Sequence, residues 1–376
     1  MINFAFVNIN KQRGTMSKGL ATIHIRGYKS IKSVELPLGN LNILIGANGS
    51  GKSNFISVFK FLRNIVDQRL QLHVRDSGGA EKLLYYGSKS TESLSFRLDF
   101  SPNSYEIALK PSLDDNLYLE QERTSLPNKA YEESLGNLIA AGSNESKLQQ
   151  DAASNVVSKY VFDTLKKWRV YHFHDTSASA RIKKTVDIHQ NSYLWEDAGN
   201  LAAFLYLIQQ QSPKHYERIV RTIQMVVPMF YDFNLRPDPL SPGHIRLEWL
   251  DNASDYIFGA SELSDGSLRF ISIATMLLQP NKPDLILLDE PELGLHPAAI
   301  QILAGLLQKA STFSQIIIST QSAGLVSAFT PEDIIVVENQ DNASVFKRLN
   351  DIDLDNWLTE YSLGQLWENN VFGGRP

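Results

Sequence analysis

The chain has 376 residues, 43% hydrophobic and 20% charged, with a net charge of −5 and no cysteine. That is enough apolar material for two domains or one elaborated domain. It excludes disulfides, thiolate metal sites and cysteine nucleophiles, and argues against a generally basic nucleic-acid coat while leaving room for a local basic groove. No apolar run approaches membrane-span length, so no membrane insertion is expected. The opening "MINFAFVNINKQRG" lacks the continuous apolar core of a secretory signal. With the missing cysteines this fits a reducing, cytoplasmic location. Residues 1–19 read as an N-terminal extension, and Met16 is an alternative start to Met1.

In chain order, "ATIHI" and "LNILIG" are strand-length apolar runs, and "SNFISVFKFLRNIV" follows with helical spacing. Leu94, Phe96, Leu98 and Phe100 alternate with Ser95, Arg97 and Asp99, as in a half-buried strand. "YEIALK" and "NLYLE" continue it as an antiparallel meander. The polar stretch from Gln121 to Asp151 reads as loop-rich and partly helical. A helix through Val157, Tyr160, Val161, Leu165 and Trp168 precedes a strand, "RVYHF". Helices are expected around "NLAAFLYLIQQQ" and "HYERIVRTIQMVV". The last part alternates helix "LRFISIATMLL", strand "DLILLDE", helix "AAIQILAGLLQKA" and strands "QIIIST" and "DIIVVE". Such alternation predicts a parallel sheet covered by helices.

Three motifs carry chemistry. Gly46, Ala47, Asn48, Gly49, Ser50, Gly51, Lys52 and Ser53 form G-x-x-x-x-G-K-S between a strand and a helix, the context a phosphate loop requires. Its glycines let backbone N–H groups surround phosphate oxygens, Lys52 adds a point charge, and the Ser53 hydroxyl can ligate Mg²⁺. Second, "DLILLDEPELGLHP" places Asp289 and Glu290 at the end of a buried strand, where parallel sheets bind ligands. Asp289 suits a metal ligand. Glu290 suits orientation or deprotonation of an attacking water. Adjacent strand residues point opposite ways, so the two should hold different roles. Third, the turn "ELSDGSLRF" opens a helix. Ser264 and Gly266 stand at its N-terminus, which either caps itself or receives an anion.

Together these residues resemble the ABC-type ATPase heads of the SMC/RecF/OLD group. "GANGSGKSN", including Asn54, looks like their phosphate loop; "LSDGS" resembles their signature motif, with Asp265 where glycine is commoner; "LLDEPELGLHP" is similar to their second acidic motif. "YHFHDTS" and the terminal "FGGRP" look like a branch of single-chain bacterial ATPases. The resemblance implies an α/β P-loop fold: a parallel core sheet, an antiparallel β subdomain and an inserted helical lobe. Residues 20–120 would hold the phosphate loop and β subdomain, 121–260 the helical lobe, and 261–376 the signature helix and the rest of the core. It also implies ATP and Mg²⁺ as ligands. Catalytic roles fall to Lys52, Glu290, Gln321 and Ser264, with Ser53 and Asp289 on the metal. Ser264 and Gly266 would reach ATP bound to a second subunit, in a homodimer or higher homo-oligomer. Where the family usually places a histidine, this chain has Thr320-Gln321-Ser322. Glutamine positions water but carries no proton, so slow turnover is expected. No convincing candidate stands for the family's glutamine after an early strand.

Other clusters have plainer readings. His172, His174 and Asp175 are compatible with a metal site or with packed structural groups. His296 fits the loop before a helix opened by Pro297. Lys166, Lys167, Arg169, Arg181, Lys183 and Lys184 suit either DNA contact or a solvated face. Asp351, Asp353 and Asp355 alternate like a nuclease motif, but "LDNWLTEYSL" reads as a helix capped near Asp355. The expected function is an ATP-hydrolysing head in DNA repair or anti-phage defence, working with a separately encoded effector such as a nuclease, with DNA as a candidate partner. The alternatives are an ATP-gated regulatory scaffold and the ATPase subunit of a transporter.

Overall fold

A computed structural model describes residues 19–126, 135–349, 354 and 357–375. The N-terminal extension and Asp351, Asp353 and Asp355 lie outside them. The chain begins with β1 (Thr22–Tyr28), β2 (Ile31–Pro37), β3 (Leu41–Ile45) and α1 (Lys52–Val66). Short helices α2 (Leu70–Asp76) and α3 (Ala80–Leu83) lead to β4 (Leu94–Asp99), β5 (Ser104–Pro111), β6 (Leu117–Leu126) and β7 (Leu135–Ala140). Next come α4 (Leu148–Asp151), α5 (Val156–Lys166), β8 (Trp168–Tyr171), β9 (Val186–Asp187), α6 (Leu201–Gln211) and α7 (Pro213–Gln224). Strands β10 (Phe230–Phe233), β11 (His244–Ile245), β12 (Glu248–Asp251) and β13 (Ser254–Gly259) precede α8 (Asp265–Leu278). The chain finishes with β14 (Leu285–Asp289), α9 (Pro297–Ala310), β15 (Gln315–Thr320), α10 (Ala323–Val326), β16 (Ile334–Gln340), β17 (Ala343–Arg348) and α11 (Leu363–Glu368).

Among the described residues the core sheet has the order β17-β16-β3-β15-β14-β8. All its pairings are parallel except that of the edge strand β17 with β16. β3, "LNILI", is buried throughout, as a strand covered on both faces must be. Its alternate residues serve two cores. Ile43 and Ile45 pack with α8 and α9 on one face. Leu44 joins Phe55, Phe59 and Leu62 of α1 on the other. That second core also takes Ile25, Phe96, Leu98 and Ile107 from an antiparallel sheet of order β2-β1-β4-β5-β6-β7. So α1 is sandwiched between the two sheets, and its N-terminus is fixed from both sides.

The expected boundary at residue 120 falls inside β6. Residues 121–126 and 135–140 extend the antiparallel sheet, and β8 belongs to the core sheet. The segment 121–260 is therefore not a helical lobe throughout: α4–α7 share it with β7–β13. The polarity that reads as loop has a specific cause. Glu122 is fully buried in β6, where its carboxylate accepts from Tyr105 Oη at 2.6 Å, Ser146 Oγ at 2.5 Å and the Lys147 amide at 2.8 Å. A buried carboxylate is tolerated when donors satisfy it, and two of these lie more than twenty residues away in sequence. Near the C-terminus, Trp357–Thr359 form one 3-10 turn, and α11 starts only at Leu363, so the helix expected over "LDNWLTEYSL" is not continuous.

Candidate active site

The loop from Gly46 to Gly51 joins β3 to α1 with three left-handed glycines. A Cβ on Gly46 would lie 2.1 Å from the Val337 carbonyl, and one on Gly51 would lie 2.0 Å from Ser344 Oγ. Gly49 (φ 77°) instead has nothing within 4 Å of its Cβ position. The loop is thus clamped at both ends and open at its crest. Behind it, Ser344 Oγ donates to the Ser50 carbonyl at 2.7 Å and accepts from Ser30 Oγ at 2.7 Å, and Asn54 Nδ2 donates to Ser30 Oγ at 2.8 Å. Asn54 therefore braces the loop from outside. A cleft of about 640 Å³ begins beside it, lined by Lys29, Ser30, Asn54, Tyr86, Asn339 and Asn342 among others.

Lys52 is 5% exposed. Its Nζ donates to the Gly46 carbonyl and, at 3.0 Å, to that of Ala47. Burial pushes its pKa down, while Glu290, Asp289 and Glu292 pull it up. A cation held on two carbonyls inside a Gly-rich loop at a helix start fits an anion at the crest, such as a phosphate.

The register β3–β15–β14 brings three strand ends together. Ser53 Oγ donates to Asp289 Oδ2 at 3.2 Å, across 236 residues of sequence, and Ser319 Oγ donates to Asp289 Oδ1. A hydroxyl and a carboxylate oxygen facing each other form the hard oxygen pair that Mg²⁺ takes. Glu290 leaves the strand in the left-handed region, at φ 43°. Simple strand alternation ends at Asp289, but the two carboxylates do part company: Glu290 Oε1 accepts from Gln321 Nε2. Just beyond, Glu292 is 8% exposed and accepts from Thr320 Oγ1 at 2.5 Å and the Gln321 amide at 3.2 Å. Its Oε2 has no partner among the described residues, and burial pushes its pKa up.

Ser264 and Gly266 stand apart from this cluster. Ser264 caps α8, accepting from the Ser267 amide at 3.1 Å. Gly266 is pressed on the loop after Glu290, where a Cβ would meet the Gly294 carbonyl at 2.2 Å. Arg269 ties the same helix to the Leu293 and His174 carbonyls, each at 3.0 Å. The Ser264 turn is thus fastened to the loop that follows Asp289 and Glu290.

His296 caps α9, its Nδ1 accepting from the Ala298 amide at 3.3 Å. His174 supplies only its carbonyl to Arg269, and Asp175 accepts from the Ser177 amide at 3.1 Å. No three-residue metal cluster occurs among the described residues. In the basic cluster, Lys166 pairs with Asp67 (2.7 Å), Lys167 with Asp284 (3.5 Å) and Arg181 with Asp197 (3.1 Å). Arg169 and Lys183 donate to backbone carbonyls. Five of the six cations are therefore engaged within the chain. No helix among the described residues is long and apolar enough to cross a membrane.

Sequence reasoning missed Ser319, Glu292, Ser30 and Ser344. The Ser-Thr ending of the apolar "QIIIST" was the available signal for Ser319, since hydroxyls closing a buried strand need partners. The other three become visible only through long-range contacts.

No sequence among curated proteins matches the chain. Among solved structures, an SMC head bound to the C-terminal winged-helix domain of ScpA is similar over 91% of this chain and 99% of its own, at TM-score 0.56 and 17% identity. A Pyrococcus furiosus SMC head with an extended coiled coil, bound to the C-terminal domain of ScpA, is similar over the same shares at TM-score 0.52 and 18% identity. These likenesses establish the fold, that of a P-loop ATPase head. The model of the family described as "AAA domain, putative AbiEii toxin, Type IV TA system" matches residues 41–327. Spanning phosphate loop, signature turn and acidic strand, that match covers well over half of the sequence, and the chain belongs to this AAA family.

Proposed function

We propose that the chain is an ATP hydrolase that closes as a dimer around Mg-ATP. The observation that supports this best is the joining of Ser53 to Asp289 and of Glu290 to Gln321 at neighbouring strand ends beside the phosphate loop. On this reading the loop amides and Lys52 hold the phosphates, and Ser53 and Asp289 hold Mg²⁺. The metal would neutralise charge on the outer phosphates. Glu290, aimed by Gln321, orients the attacking water and takes its proton. Gln321 stands where the resembled family has a histidine and cannot carry a proton, which is the reason to expect slow turnover.

Ser264 and the open N-terminus of α8 suit a phosphate offered by a second copy, since helix N-termini favour anions. Gly266 and Arg269 link that turn to the loop following Glu290, so engagement on one protomer bears on its own acidic motif. We place this ATPase with a separately encoded effector in repair or anti-phage defence, in line with the toxin–antitoxin wording of its family. The basic cluster around Lys166 gives DNA contact no support.

The test is the solution mass of wild type and Glu290→Gln, with and without Mg-ATP. The expected result is a nucleotide-dependent dimer for Glu290→Gln that Ser264→Arg abolishes. A mass indifferent to nucleotide in every variant overturns the dimer mechanism.

A further inference from the structure

The terminal "FGGRP" plays no part in the site described above, yet it ends beside it. Trp367 is fully buried, and its Nε1 donates to the Gly374 carbonyl. The Gly374 amide donates to Glu338 Oε1 at 2.8 Å. Gly373 and Gly374 are left-handed, at φ 84° and 65°. A Cβ on Gly374 would lie 2.5 Å from Val336 Cγ1 and 3.6 Å from the Gly46 Cα, the first residue of the phosphate loop. Upstream, a Cβ on Gly364 would meet the Ala323 carbonyl at 2.1 Å, so α11 is locked onto α10, which begins two residues after Gln321. The tail is therefore fixed between the Gln321 corner and the start of the phosphate loop, and only glycine permits that approach.

Arg375 is the next residue, one step of about 3.8 Å along the chain. It is exposed and has no carboxylate partner among the described residues. We infer that Arg375 is a second cationic contact for the bound nucleotide's phosphates, held at the loop's entrance by the Gly373-Gly374 ledge. Guanidinium suits the task because its forked donors pair with phosphate oxygens. Lys52 approaches from inside the loop, whereas Arg375 approaches from the rim. This rests on the proposed nucleotide site.

The experiment is titration of the full chain with a fluorescent ATP analogue and Mg²⁺, for wild type, Arg375→Ala, Arg375→Lys and Lys52→Ala. Unfolding temperatures without nucleotide are measured alongside. Arg375→Ala is expected to weaken binding roughly tenfold, about 1.4 kcal/mol, with an unchanged unfolding temperature and partial recovery in Arg375→Lys. If Arg375→Ala binds within twofold of wild type while Lys52→Ala does not, the inference falls and the nucleotide site stands. A drop in unfolding temperature that accounts for the weaker binding assigns Arg375 a structural role and also overturns it. If wild type does not bind the analogue, both readings fall.

Discussion

The phosphate-loop corner and the Ser264 turn are both polar ends of helices, but they are finished differently. Around Lys52 the side chains serve one another across more than two hundred residues: Ser53 with Asp289, Ser344 with the Ser50 carbonyl. Around Ser264 the side-chain partner is three residues away, and the helix is held at a distance by a glycine-on-glycine seat at Gly294 and by Arg269 on the Leu293 and His174 carbonyls. The first region is complete within one chain. The second is anchored, and as at any helix start its first amides lack partners within the helix. On the proposed function, the first region works alone and shows its partners internally, while the second would work between copies from a rigid mount.

The largest expected effect breaks the first region. Lys52→Ala should reduce ATP binding by at least tenfold, since charge-assisted bonds to phosphate contribute about 1.5–3 kcal/mol; equilibrium titration measures it. Glu290→Gln should lower steady-state hydrolysis by roughly 10²–10⁴-fold, the usual weight of a general base, while binding persists. Gln321→Ala acts through Glu290, so a smaller fall of about tenfold is expected in turnover with KM little changed. Unaltered turnover would remove Gln321 from the site.

Ser264→Arg sharpens the contrast. It should leave single-chain ATP affinity intact and abolish the ATP-dependent mass increase, at a cap cost of about 1 kcal/mol.

The smallest effect concerns Glu292. Its pKa is raised by burial, so the folded state favours the protonated acid. Its contribution is then fully present below the ordinary carboxylate range and is lost as pH rises above it. Glu292→Gln should therefore flatten the decline in unfolding temperature as pH rises from about 4 toward neutrality, whereas a parallel shift would argue against that titration.

Much of the site was legible in the sequence because it is written in local grammar. A strand, a Gly-rich turn and Lys52-Ser53 at a helix start need no distant information to be recognised, and the same holds for Asp289-Glu290 after four apolar residues. Gln321 was found because the resembled family places a histidine at that point after a buried strand. The misreadings share one cause. Glu122 looked like loop because its donors Ser146 and Lys147 lie across a turn of chain, and the pairing of Lys166 with Asp67 and of Lys167 with Asp284 was equally out of sight in the sequence. Polarity announces that a partner is needed and does not say where it is.

One feature of the core sheet bears on how the protein comes to exist. Asn42 of β3 bonds to Ile316 of β15 across 274 residues, and β3's other neighbour, β16, lies later still. At about 5–20 residues per second of synthesis, β3 is made on the order of 15–55 s before either flanking strand leaves the ribosome. Throughout that interval a largely apolar strand has both edges bare, a condition that invites mispairing. The nucleotide pocket, closed last by residues near the C-terminus, cannot stabilise the nascent chain during that wait, and demand for chaperones should peak before the final quarter is translated.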